Sequence, residues 1–504
     1  MSDTRELTRR QFLNRTGGMA VTAAAANAAI QARAADPVST APGPDMARGA
    51  RALCVLPVLT YELPEPRENT SWRGWGELHT EAAVAEEAGR IAAELAKLSD
   101  EAEFGLRVMP VATVRTAEEA QSLKDIDRAD AVLLYPAGGG MDLFDIVGGH
   151  GKPVLFFIRH KSGPYYLWHE IMSSRYRRQH TDAQAHSRFD HTDVVVDDYE
   201  EALWRLRALY AIQNTVGRTI VAIGGPGGWA APNAPDLARE RFGLDIRTVE
   251  YEALDELVKA KRADPSAMAR ANEDGEAYLR KGDVSLKTEP ERVANGFILA
   301  DVFRDLMAEA NACAITVNGC MGQIMPVAQA APCLTLSLLN DDGYMAYCES
   351  DFVVIPSGIL MHFLSGKPTF FCNPTFPHQG RTVFAHCTAP RRMDGERLEP
   401  VKLVSHFESD LGPAPKVKMR EGQVMTFAMP NFGADHWSGL RAKVLDCPSH
   451  PICRSQVEVE ILGDWQTYAM NQEGFHHMGV YGDYLRELPY ALKQVGIKWT
   501  DYSA

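Results

Sequence analysis

Apolar and polar positions change rhythm along this chain. Arg51–Leu59 holds an apolar run and predicts a first strand. Between Thr80 and Ser99 apolar residues recur at Val84, Ala88, Ile91, Leu95 and Leu98, the spacing of one helix face. Ala129–Tyr135 and Pro153–Ile158 are short continuous apolar runs ending in turn or polar residues. Strands covered on both faces of a parallel sheet read this way. Strands alternating with helices predict an α/β layer.

A second layer begins at Thr219–Ile223, which runs into Gly224, Gly225, Pro226, Gly227 and Gly228. A helix around Arg292–Ala310 and a strand over Cys313–Val317 continue it. Pro332–Leu339 reads as an apolar strand and Phe352–Leu364 as a helix. After Lys367 strand-like pieces dominate, with alternation at Val457, Val459 and Ile461 and a closing helix over Tyr484–Gln494. The expected domains are therefore α/β over 51–190, α/β over 191–366, and a β-rich segment over 367–504.

Composition narrows the class. Of 504 residues, 45 % are hydrophobic and 23 % charged, which excludes a wholly disordered chain and a collagen. The formal net charge of −14 repels phosphate backbones, so nucleic acid is not an expected partner. Five arginines stand against Asp3 and Glu6 in residues 1–34, which leaves the remainder more acidic still.

That basic start has an order of its own. Thr8-Arg9-Arg10-Gln11-Phe12-Leu13 is a twin-arginine pair before an apolar pair. A weakly apolar stretch from Met19 to Ile30 and a small-x-small site at Ala32-Arg33-Ala34 follow. The order matches a bacterial Tat export signal over 1–35, with a Pro-, Ala- and Gly-rich linker over 36–50. It predicts a mature chain in the periplasm or outside the cell, and the Tat translocase as a partner during export. Nine cysteines leave an odd thiol, no CxxC occurs, and Cys447 with Cys453 is the expected local pair.

Gly138-Gly139-Gly140 and Gly224–Gly228 both follow predicted strands. Neither fits GxGxxG with an acidic residue about 20 positions on, so tight turns at strand ends are the expectation.

Chemistry concentrates in two regions. One runs Pro332-Cys333-Leu334-Thr335-Leu336-Ser337-Leu338-Leu339-Asn340-Asp341-Asp342-Gly343 and on to Cys348-Glu349-Ser350-Asp351. The other is Gly474-Phe475-His476-His477. Between them lie Asn373-Pro374-Thr375-Phe376-Pro377-His378 and Ala385-His386-Cys387. Carboxylates and imidazoles converging from two domains suit a divalent cation. Adjacent side chains in a strand point to opposite faces, so one of His476 and His477 at most enters a given site.

The combination resembles the L-fucose/L-arabinose isomerase superfamily, and its L-fucose isomerase-like branch in particular. The resemblance implies two Rossmann-like α/β domains followed by a β-rich, barrel-like C-terminal domain. It implies Mn²⁺, with Zn²⁺ as the alternative, held between the second and third domains of a homo-oligomer. Aldose–ketose isomerisation through an ene-diol would be its reaction. Residue by residue, it implies Glu349 as metal ligand and acid/base, His477 as the C-terminal metal histidine, and His386 as a further one. Asn373 stands where the fucose branch has a second carboxylate, and Ser350 where its motif has glycine. Proton transfer then falls to Glu349 and Asp351 as catalytic residues, or to a histidine in place of Asp351. Asn373, His378 and Trp168 are the candidate substrate contacts, and the substrate is a sugar or sugar conjugate.

Two other readings compete. One is a non-catalytic periplasmic sugar-binding protein in which Tyr165, Tyr166, Trp168 and Trp229 stack on sugar faces. The other is a metal-dependent sugar lyase or epimerase on the same scaffold.

Overall fold

The computed structural model describes residues 48–65, 68, 77–166 and 189–503. The expected leader, nearly all of the linker, and Trp168 lie outside the described residues. The chain forms two compact units that change over between Gln213 and Asn214.

The first unit is a wholly parallel sheet with helices. Its strands are β1 (Leu53–Thr60), β2 (Leu106–Val108), β3 (Ala112–Val114), β4 (Ala131–Pro136), β5 (Val154–Ile158) and β6 (Val194–Val196). They run in the order β2-β1-β4-β5-β6, and β3 pairs with the far end of β1. β4 and β5 are buried at every position, which is why they read as unbroken apolar runs. Helix α1 (Glu81–Glu101) is capped by Thr80, whose Oγ1 accepts the Ala83 N–H. It buries Val84, Ile91, Leu95 and Leu98. Glu87 is buried with them because Arg159, just past β5, donates to it at 2.6 Å.

The second unit joins a parallel sheet to a barrel. The sheet runs β11-β10-β7-β8, with β7 (Thr219–Ile223), β8 (Asp245–Val249), β10 (Ala314–Val317) and β11 (Met345–Cys348). Helices α2 (Tyr251–Ala263) and α3 (Glu291–Glu309) pack against it. A short β9 (Val284–Leu286) pairs with β14 (Val401–Val404), which also pairs with β15 (Ala414–Val417).

The barrel has six antiparallel strands in the cyclic order β16-β19-β12-β13-β18-β17. They are β12 (Phe370–Pro374), β13 (Arg381–His386), β16 (Val424–Pro430), β17 (His436–Asp446), β18 (Ser455–Ile461) and β19 (His477–Tyr481). Pairing of β16 with β17 closes it, and β20 (Lys498–Asp501) adds to β17 in parallel. Closure leaves the barrel no free edge. Its interior holds Cys372, Met425, Leu440, Val457 and Val459 around Phe384, which stacks on Phe427 at 3.8 Å. The architecture is thus mixed α/β, with Rossmann-like parallel sheets and a closed barrel in the C-terminal region.

The expected apolar strand over 332–339 is instead helix α4 (Cys333–Asp341). Every residue from Cys333 to Asn340 is buried, so the run lacks the amphipathic period that marks a helix. Its polar groups are answered internally. Thr335 and Ser337 donate to the Gly296 and Ala389 carbonyls, and Asn340 donates to those of Leu336 and Ala346. Helix α5 (Ile355–Ser365) is likewise buried over Ile355–Leu364. Among the described residues no single helix is long and apolar enough to cross a membrane.

Candidate metal centre

The centre begins where β11 ends. Glu349 and Ser350 both take left-handed backbone conformations, φ 63° and 46°, rare for residues other than glycine. Three contacts hold that turn. The Ser350 N–H donates to Thr316 Oγ1 at 3.2 Å, the Gly227 N–H to the Ser350 carbonyl at 3.0 Å, and the Phe352 N–H to the Gly227 carbonyl at 3.0 Å. Gly227 comes from the glycine-rich loop after β7, and a Cβ there would stand 3.4 Å from the Ser350 carbonyl oxygen. This loop therefore serves as a backbone brace for the Glu349 turn.

The turn aims Glu349 at two histidines. Its Oε1 lies 3.4 Å from His386 Nε2, and its Oε2 lies 3.2 Å from His476 Nε2. His386 is the last residue of β13, and His476 directly precedes β19. One ligand atom from each of the three residues falls within 4.8 Å of the others. The ring of Phe371, on β12, packs 4.8 Å from His386 and 4.5 Å from His476. Both histidine side chains are fully buried, while 28 % of the Glu349 side chain is exposed.

Burial and charge act against each other here. Burial pushes the Glu349 carboxyl up, but the close imidazoles of His386 and His476 outweigh it and hold the acid well below the carboxylate range. Burial pushes His476 down, but Asp351 and Glu349 reverse that and raise it above an ordinary histidine.

The donor set fits a divalent ion. Both ring nitrogens of His386 and the Nε2 of His476 are buried without a hydrogen-bond partner. Buried polar atoms left in that state cost about 1–3 kcal/mol each, which metal coordination would offset. One carboxylate and two imidazoles suit Zn²⁺, Mn²⁺ or a similar ion. Behind the centre, His476 Nδ1 lies 2.6 Å from Asp351 Oδ2, while Asp351 Oδ1 accepts the Val353 N–H at 3.1 Å. This carboxylate–histidine pair fixes the ring and leaves Nε2 on the side of Glu349.

The other candidate residues fall as follows. Asp351 is fully buried and bonded to His476, so it positions that ring rather than facing a substrate. His477 is not in the cluster. Residues 476 and 477 point to opposite sides of extended backbone, and the pairing of β19 with β12 and β16 turns His477 into the barrel. There its Nε2 lies 3.2 Å from the Tyr468 hydroxyl, and burial holds its pKa down to about 3. His476 takes the place that the resemblance implied for His477. Asn373 is half-buried on β12 and pairs with Ala385, the neighbour of His386. His378 is exposed in the β12–β13 turn, 3.4 Å from the Phe376 carbonyl.

Asp341 accepts the N–H groups of Arg391 and Arg392, and Asp342 pairs with Arg304, so neither belongs to the centre. Cys453 lies not against Cys447 but 3.7 Å from Cys387, whose sulfur is also 3.2 Å from His406 Nε2. None of the nine cysteines is joined in a disulfide. The sequence reading missed Phe371 and the contact of Trp229 and Phe475 with His476. The one signal available was chain adjacency, with Phe475 preceding the histidine pair.

No model of a known protein family matches the chain, and no curated protein is a significant match to it. The family reading therefore rests on the motifs quoted above.

Proposed function

We propose that the protein is a metal-dependent carbohydrate-active enzyme, an aldose–ketose isomerase working through an ene-diol. The observation that carries the reading is the Glu349–His386–His476 group, with His476 oriented from behind by Asp351. A divalent ion bound there supplies Lewis acidity toward the neighbouring carbonyl and hydroxyl oxygens of a sugar. The chain's own groups do the rest. Glu349 is the one partly exposed residue of the three and is the group placed to take a proton from one sugar carbon and return it to the next. His386 and His476 approach from the closed side, with Phe371 packed against both to keep water out. Asn373, paired with the neighbour of His386, is neutral and limited to hydrogen bonding through its amide. The twin-arginine leader supports export to the periplasm or beyond, and the family resemblance supports a homo-oligomer.

Elemental mass spectrometry of the purified chain tests the centre. One equivalent of divalent metal is expected per chain, lost in Glu349→Ala and in His476→Ala but kept in His477→Gln. Metal retained by His476→Ala and lost from His477→Gln would reverse the assignment. Chromatography of products from free aldoses tests the reaction, and products other than the matching ketose would reassign it to lyase or epimerase chemistry.

A further inference from the structure

Two large apolar side chains stand in the open beside the centre. Trp229 is 59 % exposed and Phe475 is 41 % exposed. Their rings stack at 4.9 Å and 23°. Both also contact His476, Trp229 edge-on at 5.8 Å and Phe475 at 4.7 Å. They come from separate loops, one after β7 and one before β19.

Neither ring is a loose surface residue. Trp229 follows two residues after Gly227, which is hydrogen-bonded to Ser350 and Phe352 on either side of Asp351. Its own backbone is left-handed, φ 46°, a costly conformation for a bulky side chain. Strain of this kind persists where the surroundings enforce it and clusters at ligand sites. Phe475 is joined to His476, whose ring Asp351 holds. The stacked pair is therefore fixed relative to the proposed ligands. The exposed part of the cluster is Glu349, since both histidines are closed off.

We propose that Trp229 and Phe475 form a stacking platform for the C–H face of a carbohydrate, and so select which sugar reaches the centre. This rests on the carbohydrate reading above. A sugar ring combines what the two surfaces ask for. One face is apolar C–H, which packs on an aromatic plane. The edge carries adjacent oxygens, which the polar cluster can engage. Trp229 supplies the open surface, and Phe475 backs it.

The test uses the full chain loaded with Mn²⁺ and isothermal titration with free aldopentoses, aldohexoses and their polyols. Glycerol is a control with adjacent hydroxyls but no ring face, and catechol is a planar aromatic diol. Trp229→Gly removes the ring while accepting the left-handed backbone, and Trp229→Phe keeps a smaller plane. For the tightest sugar, Trp229→Gly is expected to weaken binding about 10- to 100-fold, with Trp229→Phe in between. Metal content and glycerol binding are expected to stay unchanged. Unaltered sugar binding in a metal-loaded Trp229→Gly chain overturns the platform and leaves the centre standing. If that variant also dissociates from an oligomer, the rings belong to a subunit contact. A wild-type chain that holds metal but binds catechol and no carbohydrate overturns both the platform and the carbohydrate reading. Absence of metal from the wild-type chain overturns the centre itself.

Discussion

At Ser350 the backbone and the side chain disagree. The residue is left-handed, and its buried hydroxyl oxygen has no hydrogen-bond partner. Glycine would relieve both penalties at the cost of a freer unfolded chain. Ser350→Gly is expected to raise stability by about 1 kcal/mol, visible as a higher denaturation midpoint. A lower midpoint would mean that the hydroxyl is used in the native state. Single residues were legible here in type but not in direction. Glu349 and His386 stood out as ligand chemistry flanked by cysteines. The choice between His476 and His477 did not, because two identical neighbours differ only in the side to which each points as the chain enters β19. Pairing with β12 and β16 settles that, and those partners lie far away in sequence.

Among the elements, α5 carries a titratable group that the site does not use. His362 is buried on this helix, its Nδ1 lying 3.0 Å from the Lys367 carbonyl and its Nε2 unpartnered. Burial holds its pKa down to about 4, so the ring stays neutral in the fold while the unfolded chain titrates near 6.5. A depressed histidine stabilises fully above the unfolded value, and that contribution is lost as pH falls through the folded one. Wild-type stability is expected to drop by ~3 kcal/mol from this group between pH 6.5 and 4. His362→Asn keeps a donor near Lys367 and cannot titrate. Denaturant unfolding at several pH values should show a shallower acid slope for the variant. An unchanged slope would place the acid sensitivity elsewhere. Parallel strands such as β4 and β5 were readable because full burial writes an unbroken apolar run. The same full burial hid α4, where the run could be either a strand or a helix and only its packing decides.

Over the whole molecule, barrel closure brings together cysteines that local spacing would not pair. Cys387 directly follows β13 and Cys453 precedes β18, and the antiparallel pairing of His386 with Ser455 sets them side by side. Cys447 instead turns to the Met419 carbonyl. Oxidised glutathione is expected to join Cys387 to Cys453, the two thiols losing their hydrogens and the reagent leaving as two glutathione thiols. Peptide mapping reads the linkage, and a Cys447–Cys453 product would contradict the register. The layered outline of the fold was open to sequence reading, because each layer repeats one hydrophobic rhythm. The barrel was expected only through the family resemblance and not from the local pattern, since closure depends on β16 finding β17 and on partners distant along the chain.

Glu349, His386 and His476 sit on three separate segments, one leaving the parallel sheet and two belonging to the barrel. An ion captured by all three acts as a rivet between the two architectures of that unit. Unfolded chain cannot offer the set, so free metal in excess of its dissociation constant draws the equilibrium toward the assembled form, by about 2.7 kcal/mol at a hundredfold excess. With the ion in place, the metal supply wherever the chain folds would then set how long the protein survives there.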